Sequence, residues 1–264
     1  MTIRDKYASV AVLDADYRTG SIKDNSPSAH VDTIDSDAVW VNTKSGRALT
    51  RYAGSISANY AHSSDFDFNN KETTIVMDVI PINDYTPGSV APIVDFFAGG
   101  GSTSGWFLHL ASGGQLGLTL IKDGPTSMTL NSDDTKNDGL HHQVVIRLSD
   151  SAGTGNLSID GISNTNSISW VTGTLIDLIT SQQLQTHPTD KTPLLRLTIY
   201  GNTILTDAEI SQLWQETQQQ AHLTKIPTAT RVPENSEVFL SSNIVAQYPM
   251  KFGNSQDIYD VSGN

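Results

Sequence analysis

With 28 acidic against 16 basic side chains over 264 residues, and a formal net charge of −12, the chain argues against a nucleic-acid partner, which would need a basic patch to release counterions. It contains no cysteine, which excludes a disulfide framework and a thiolate metal site. Hydrophobic residues are 37% of the composition, below the usual globular share, so the expected core is a thin two-sheet one with long polar loops.

No segment approaches the length of a transmembrane span, and Met1-Thr2-Ile3-Arg4-Asp5-Lys6-Tyr7 carries no apolar signal region. The expectation is a soluble protein, made and assembled in a cytoplasm, with no membrane insertion.

Residues 7–16 alternate Ala8, Val10 and Val12 against Ser9, Ala11 and Leu13 and read as a first strand. Residues 18–32 are loop, with a cluster of turn formers at Asp24-Asn25-Ser26-Pro27-Ser28; Asp35-Ser36-Asp37 is another, before Val39-Trp40-Val41. Residues 46–52 read as a short strand and residues 55–61 as its partner. Asp65-Phe66-Asp67-Phe68 then sets two phenylalanines against two carboxylates.

Residues 73–80, rich in β-branched side chains, predict one of the clearest strands. Residues 83–92 are a loop, and residues 93–97 enter the next strand. The run Gly99-Gly100-Gly101 lacks the Lys-Ser/Thr ending and the following helix of a phosphate loop, so it reads as a flexible connection. Residues 105–110 and 115–121 form a hairpin around Ser112-Gly113-Gly114, and residues 128–130 add a short strand.

The most informative stretch runs from His141 to Gly161. Val144, Ile146 and Leu148 alternate with Gln143, Val145, Arg147 and Ser149, the period of a strand with one face in a core. Asp150 to Gly155 supplies turn residues, and Leu157 and Ile159 resume the alternation toward an Asp160-Gly161 turn. Residues 167–172 and 175–179 are weaker segments. Residues 194–200 form a strong strand with Leu195, Leu197 and Ile199 on one side.

The period then changes. Thr206-Asp207-Ala208-Glu209 is a capping box, and Ile210, Leu213, Trp214 and Thr217 follow at helical spacing toward Ala221. This predicts one amphipathic helix covering a sheet face or the open end of a sandwich.

The run from Leu205 to Leu213, after a strand ending in Ile199-Tyr200, resembles the closing segment of laminin-G-like domains of the concanavalin A-like lectin/glucanase superfamily. Trp106 to Leu110 with Gln115 to Leu120, Leu140-His141-His142-Gln143-Val144-Val145, Asn156 to Gly161 and Thr73 to Asp78 resemble further strands of that family in the right order. Leu140 stands where the family prefers Trp, and Met77-Asp78 replaces an aromatic.

The resemblance covers residues 7–221. It implies an all-β, two-sheet jelly-roll sandwich with one C-terminal amphipathic helix and an extended tail. The expected organisation is a jelly roll over residues 1–224, a linker over 225–240, and an extension or the start of a second similar domain over 241–264. Tyr248-Pro249-Met250 and the ending Asp260-Val261-Ser262-Gly263-Asn264 resemble the opening of another such domain.

Glucanases of the superfamily use a Glu-x-Asp-x-x-Glu strand, which this sequence lacks; Asp65 and Asp67 alternate correctly but no glutamate follows at the needed spacing. The chain is therefore expected not to be an enzyme. His141 and His142 point to opposite faces of a strand and cannot share a metal without a bulge. The resemblance implies calcium as a possible cofactor, held by loop carboxylates, with Asp133, Asp134, Asp138 and Asp150 as candidates; the alternative is that these acids are solvated loop charges. Tyr60 and Tyr85 are candidate sugar-stacking aromatics.

Two functional readings follow. The first, implied by the resemblance with the absent signal and absent cysteine, is a structural or adhesive component of a virus particle: a phage capsid decoration, fibre or tail part, whose partners are other virion proteins, copies of itself and a host-surface glycan. The second is a carbohydrate-binding module of a bacterial surface protein or polysaccharide-degrading enzyme.

Overall fold

In a computed structural model the described residues are 1–30, 32–34, 36, 38–51, 57–61, 63–66, 71–82, 88, 90–97, 105–122, 126–171 and 183–223. The chain divides into two compact units, Met1–Lys225 and Ile226–Asn264, and the second lies outside the described residues. The predicted linker, the tail, residues 175–179, Gly99-Gly100-Gly101, Asp67 and Tyr85 lie outside them too.

The strands are β1 (Ala11–Asp16), β2 (Asp32–Ile34), β3 (Ala38–Thr43), β4 (Gly46–Arg51), β5 (Ala58–Tyr60), β6 (Glu72–Val79), β7 (Ala91–Phe97) and β8 (Gly105–Leu110). They continue with β9 (Leu116–Lys122), β10 (Thr126–Asn131), β11 (His142–Ser149), β12 (Thr154–Ile159), β13 (Ile162–Ser169), β14 (Leu184–Thr186) and β15 (Leu194–Gly201). The helices are α1 (Ile3–Tyr7) and α2 (Asp207–Leu223).

Two antiparallel sheets result. One runs β13-β12-β11-β6-β15-β4-β3, with β1 also on β15, and the other runs β10-β9-β8-β7-β14-β5-β2. This is the predicted all-β sandwich. Its core lies between the inner faces and includes Leu13, Tyr17, Tyr60, Phe66, Ile75, Met77, Phe96, Trp106, Leu118, Ile146 and Leu197. Such side chains, taken out of water, stabilise the fold by about 1.5–3 kcal/mol each.

The hairpin at 141–161 forms as read. Val144, Ile146 and Leu148 enter the core opposite Ile159, Leu157 and Gly155. Asp160 (φ +55°) and Gly161 (φ +80°) make the two-residue turn into β13, where positive φ at both positions matches the twist of a hairpin.

On the outer face of the same sheet, α2 packs through Ile210 and Leu213 onto Val76, Val145 and Tyr200, joined by Ile3 and Tyr7 of α1. The capping box is present: Thr206 N–H donates to Glu209 Oε2 at 2.9 Å, and Glu209 N–H to Thr206 Oγ1 at 3.3 Å. Beneath the helix, Gln143 Nε2 donates to Asp78 Oδ1 (3.1 Å) and Thr217 Oγ1 (2.9 Å), while Arg4 Nη2 lies 3.3 Å from Asp78 Oδ2. Burial alone would raise the Asp78 carboxyl, but His141, Arg4 and Arg18 hold it well below the usual carboxylate range.

Several local readings are corrected. Residues 7–10, read as the opening of the first strand, are helical instead: Tyr7 ends α1, which starts at the Thr2–Asp5 capping box, and Ala8–Val10 form a 3-10 turn; β1 then buries Leu13 and Ala15 with the opposite parity to that expected. β4 pairs with β3 through the Lys44-Ser45 turn, whereas β5 joins the other sheet, between β14 and β2. A register shift between Leu194 and Arg196 puts Leu194, Leu197 and Ile199 in the core in place of the Leu195, Leu197, Ile199 alternation. Phe66 is buried in a short 3-10 turn.

Candidate functional site

Alternation along the strands of the seven-stranded sheet sends every second side chain away from the core. The register places one cross-strand row on that outer face. Thr33 of β2 is opposite Asn59 of β5, Asn59 opposite Gln185 of β14, and Gln185 opposite Asp95 of β7. Asp95 is then opposite Phe107 of β8, Phe107 opposite Thr119 of β9, and Thr119 opposite Thr129 of β10. The rows on either side of it are core: Tyr60, Leu184, Phe96, Trp106 and Leu120 on one, Val94, Leu108, Leu118 and Leu130 on the other.

The row is polar except for one aromatic. His187 Nε2 lies 2.9 Å from Asp95 Oδ2, and both side chains are largely buried. Thr119 and Thr129 share a hydrogen bond of 3.0 Å between hydroxyls. Asn59 Oδ1 is buried and makes no hydrogen bond among the described residues. Phe107 is half-buried, with its ring centroid 5.2 Å from that of His109.

Behind Phe107, His109 Nε2 meets Asn131 Oδ1 at 3.1 Å across Gly117. Burial lowers the His109 pKa against the opposing contribution of Asn131. The outer face thus offers carboxamides, a carboxylate, hydroxyls and an aromatic ring in one line. With neighbouring strands about 4.8 Å apart, the line crosses seven strands over about 29 Å.

The acids predicted as calcium ligands have separate partners. Asp133 clamps the edge strand β13: Thr165 N–H and Oγ1 donate to its carboxylate at 2.9 and 3.0 Å, and Asn166 Nδ2 at 3.0 Å. Asp134 is exposed, and its carbonyl accepts from Ser132 Oγ at 2.6 Å. Asp138 accepts from Leu140 N–H and meets His142 Nε2, both at 2.9 Å. Asp150 is buried and accepts from Trp170 Nε1 at 2.8 Å. Asp138 and Asp150 flank the eight-residue strand β11, which separates them by roughly 25 Å. Among the described residues no three His, Asp or Glu side chains converge so as to hold a metal ion.

The adjacent histidines diverge as read from the strand period. His141 lies under α2, 3.5 Å from Asp78 Oδ1 and with its ring 5.8 Å from that of Trp214. His142 sits between Asp160 and Asp138, its Nδ1 2.8 Å from Asp160 Oδ2. Asp65 contacts Ser28 and His30. Tyr60, read as a stacking aromatic, is instead fully buried, with its hydroxyl 3.0 Å from that of Tyr17 and donating to the Ile22 carbonyl at 2.9 Å. Among the described side chains of the cross-strand row the aromatic is Phe107. It faces outward because it lies between the core side chains Trp106 and Leu108, a position that the apolar run 106–108 does not mark in the sequence, and Gln185 sits on a three-residue strand too short to show a period.

No protein-family model matches the chain, and no curated protein sequence matches it. Among solved structures it is similar to the binding domain of Paraclostridial Mosquitocidal Protein 1, with a TM-score of 0.62 and 14% identity, over 80% of this chain and 53% of that one. The botulinum neurotoxin serotype D binding domain gives a TM-score of 0.65 at 12% identity, over 80% and 53% of the two chains. The binding domain of botulinum neurotoxin DC, solved in complex with rat synaptotagmin II, gives 0.63 at 14% identity, over 80% and 52%. The chain spans about half the length of these proteins. At such identities the likeness is one of fold: this chain is a β-sandwich of the kind found in those toxin binding domains.

Proposed function

We propose that this chain is a non-catalytic, lectin-like binding module that takes a glycan across the outer face of the seven-stranded sheet, and that it serves as a structural or adhesive component of a virus particle. The observation that carries the binding reading is the continuous row through Asn59, Gln185, Asp95 and Phe107. Amide and carboxylate groups answer the hydroxyls of a sugar, and an aromatic face packs on its C–H side. The acidic surface and the absence of cysteine suit a displayed protein.

The test is a glycan array with the full chain, run in calcium and in chelator. Binding is expected to fall at least about tenfold in Phe107→Ala and in Gln185→Ala, a loss of about 1.4 kcal/mol. Binding unaffected by either change, or no glycan bound at all, overturns this reading of the face. Light scattering and imaging of the source material test the particle role, for which a defined oligomer located on particles is expected.

A second reading, a carbohydrate-binding module of a longer surface polypeptide, is favoured by one observation: in the toxin binding domains this fold accounts for about half of a larger chain. Monomers cut from a longer secreted chain would support it.

A further inference from the structure

The outer face of the eight-stranded sheet is only partly covered. α2 lies over Val76 and Val145, and beyond it a shallow groove of about 420 Å³ opens on the ends of β6, β11 and β12. Its floor is a small block of sheet. Thr154, Ser149 and Glu72 form one cross-strand row, and Asn156 stands opposite Arg147 in the next. With strands about 4.8 Å apart and same-face residues about 6.8 Å apart along a strand, this block measures roughly 10 by 7 Å, the footprint of one pyranose ring. Ser151 and Ile204 complete the lining.

The polar groups are arranged by charge. Glu72 Oε1 accepts from the hydroxyls of Ser149 (2.9 Å) and Ser151, which orient the carboxylate without neutralising it. Arg147 is held away from Glu72 by Asp207, 2.8 Å from its Nη1, and by the Leu205 carbonyl at 3.3 Å. The Thr154 hydroxyl and the Asn156 carboxamide line the groove, and neither makes a side-chain hydrogen bond within the described residues.

We propose that this groove is a ligand site for a single neutral sugar ring, recognised through a vicinal diol. Adjacent hydroxyls donate to Glu72 and accept from the Asn156 amide, with Thr154 as a second hydroxyl partner. With Ile204 the one apolar side chain among the lining residues, the groove suits a polar ligand better than a mainly hydrophobic one. With Arg147 already paired to Asp207, and no cation paired to Glu72 among the described residues, an anionic sugar is disfavoured. The site lies on the other outer face of the sandwich from Phe107 and does not depend on the glycan face proposed above. One molecule carrying both would engage two sugars without new contacts between them, which is how weak sites add as avidity.

Amide chemical-shift mapping of the full chain tests this, with methyl α-D-galactopyranoside, methyl α-D-mannopyranoside and N-acetylneuraminic acid at about 50 mM each, well above a millimolar Kd. At least one neutral ring is expected to shift Ser151, Thr154 and Asn156. Asn156→Leu is expected to weaken binding at least tenfold, and Thr154→Val, which keeps a β-branched strand residue, to weaken it less; Phe107→Ala should leave it unchanged. The proposal is overturned if no neutral ring shifts these amides, if both groove variants bind as the parent does, if N-acetylneuraminic acid binds as tightly, or if Phe107→Ala abolishes the shifts.

Discussion

His142 sits at the start of β11 with a carboxylate on each ring nitrogen, Asp160 at 2.8 Å and Asp138 at 2.9 Å, so only the imidazolium donates to both. Burial would lower its pKa, but the two acids outweigh it and raise it. A raised folded pKa stabilises most below the unfolded value of about 6.5, and that stability is lost as pH rises through the folded value. Asp138 has the opposite sign: burial would raise it, His142 and the Leu140 amide hold it down, and its contribution is lost as pH falls through the lowered value. Chemical-denaturation curves across pH are therefore expected to show a stability maximum in the window between these groups, flattened in His142→Gln. A second residue acts through the backbone. Asp24 is buried and accepts from the N–H groups of Asp14, Ser26 and His30 at 2.8–2.9 Å. Asp24→Ala strands those donors and should cost about 3 kcal/mol in urea unfolding.

At the scale of elements, α2 is fastened at both its start and its face. Lys6 Nζ lies 2.5 Å from Glu209 Oε1, and the Tyr7 hydroxyl donates to the same oxygen at 2.6 Å. Burial alone would raise the Glu209 carboxyl, yet Lys6, Tyr7 and the Thr206 amide bring it down to about 2. The tie is thus present above the ordinary glutamate pKa and lost as pH falls toward 2. Leu213→Ala, which empties the buried contact with the sheet, is expected to cost about 2–5 kcal/mol, and Thr206→Ala about 1 kcal/mol, both read from melting curves. Strand β9 makes a sharper demand. A Cβ at Gly117 would fall 2.6 Å from the Leu130 carbonyl oxygen and closer still to Asn131 Oδ1. Gly117→Ala should therefore distort the β9–β10 pairing and part His109 from Asn131, visible as changed amide protection in β10.

For the whole molecule, β15 is the strand that completes the eight-stranded sheet. It pairs with β6 on one side and with β1 and β4 on the other, joining residues 11–16 to residues 196–200. Such distant pairing makes folding slow, in the range of milliseconds to seconds. A chain ending at Pro193 lacks the centre of that sheet, including the core side chains Leu194, Leu197 and Ile199, and is expected to show no cooperative melt by circular dichroism.

Much of this was legible in the residues themselves. The two-residue period identified β11, β-branched content identified β6, the Ser112-Gly113-Gly114 turn identified the β8–β9 hairpin, and the Thr206–Glu209 box with Ile210 and Leu213 announced the helix, because these signals arise from local geometry. The polar edge strand β13 (Ile162–Ser169) and the three-residue β14 carried no such period. The strands that carry Phe107 and Asp95 were legible, but neither their outward direction nor their alignment with Gln185 and Asn59 was. The sequence by itself thus determined the sandwich class, its main hairpins and its covering helix. Only the tertiary structure decided that β5 crosses to the other sheet, that Tyr60 is core, and that the two outer-face rows exist, because register between strands far apart in the chain is set by how their inner side chains pack together.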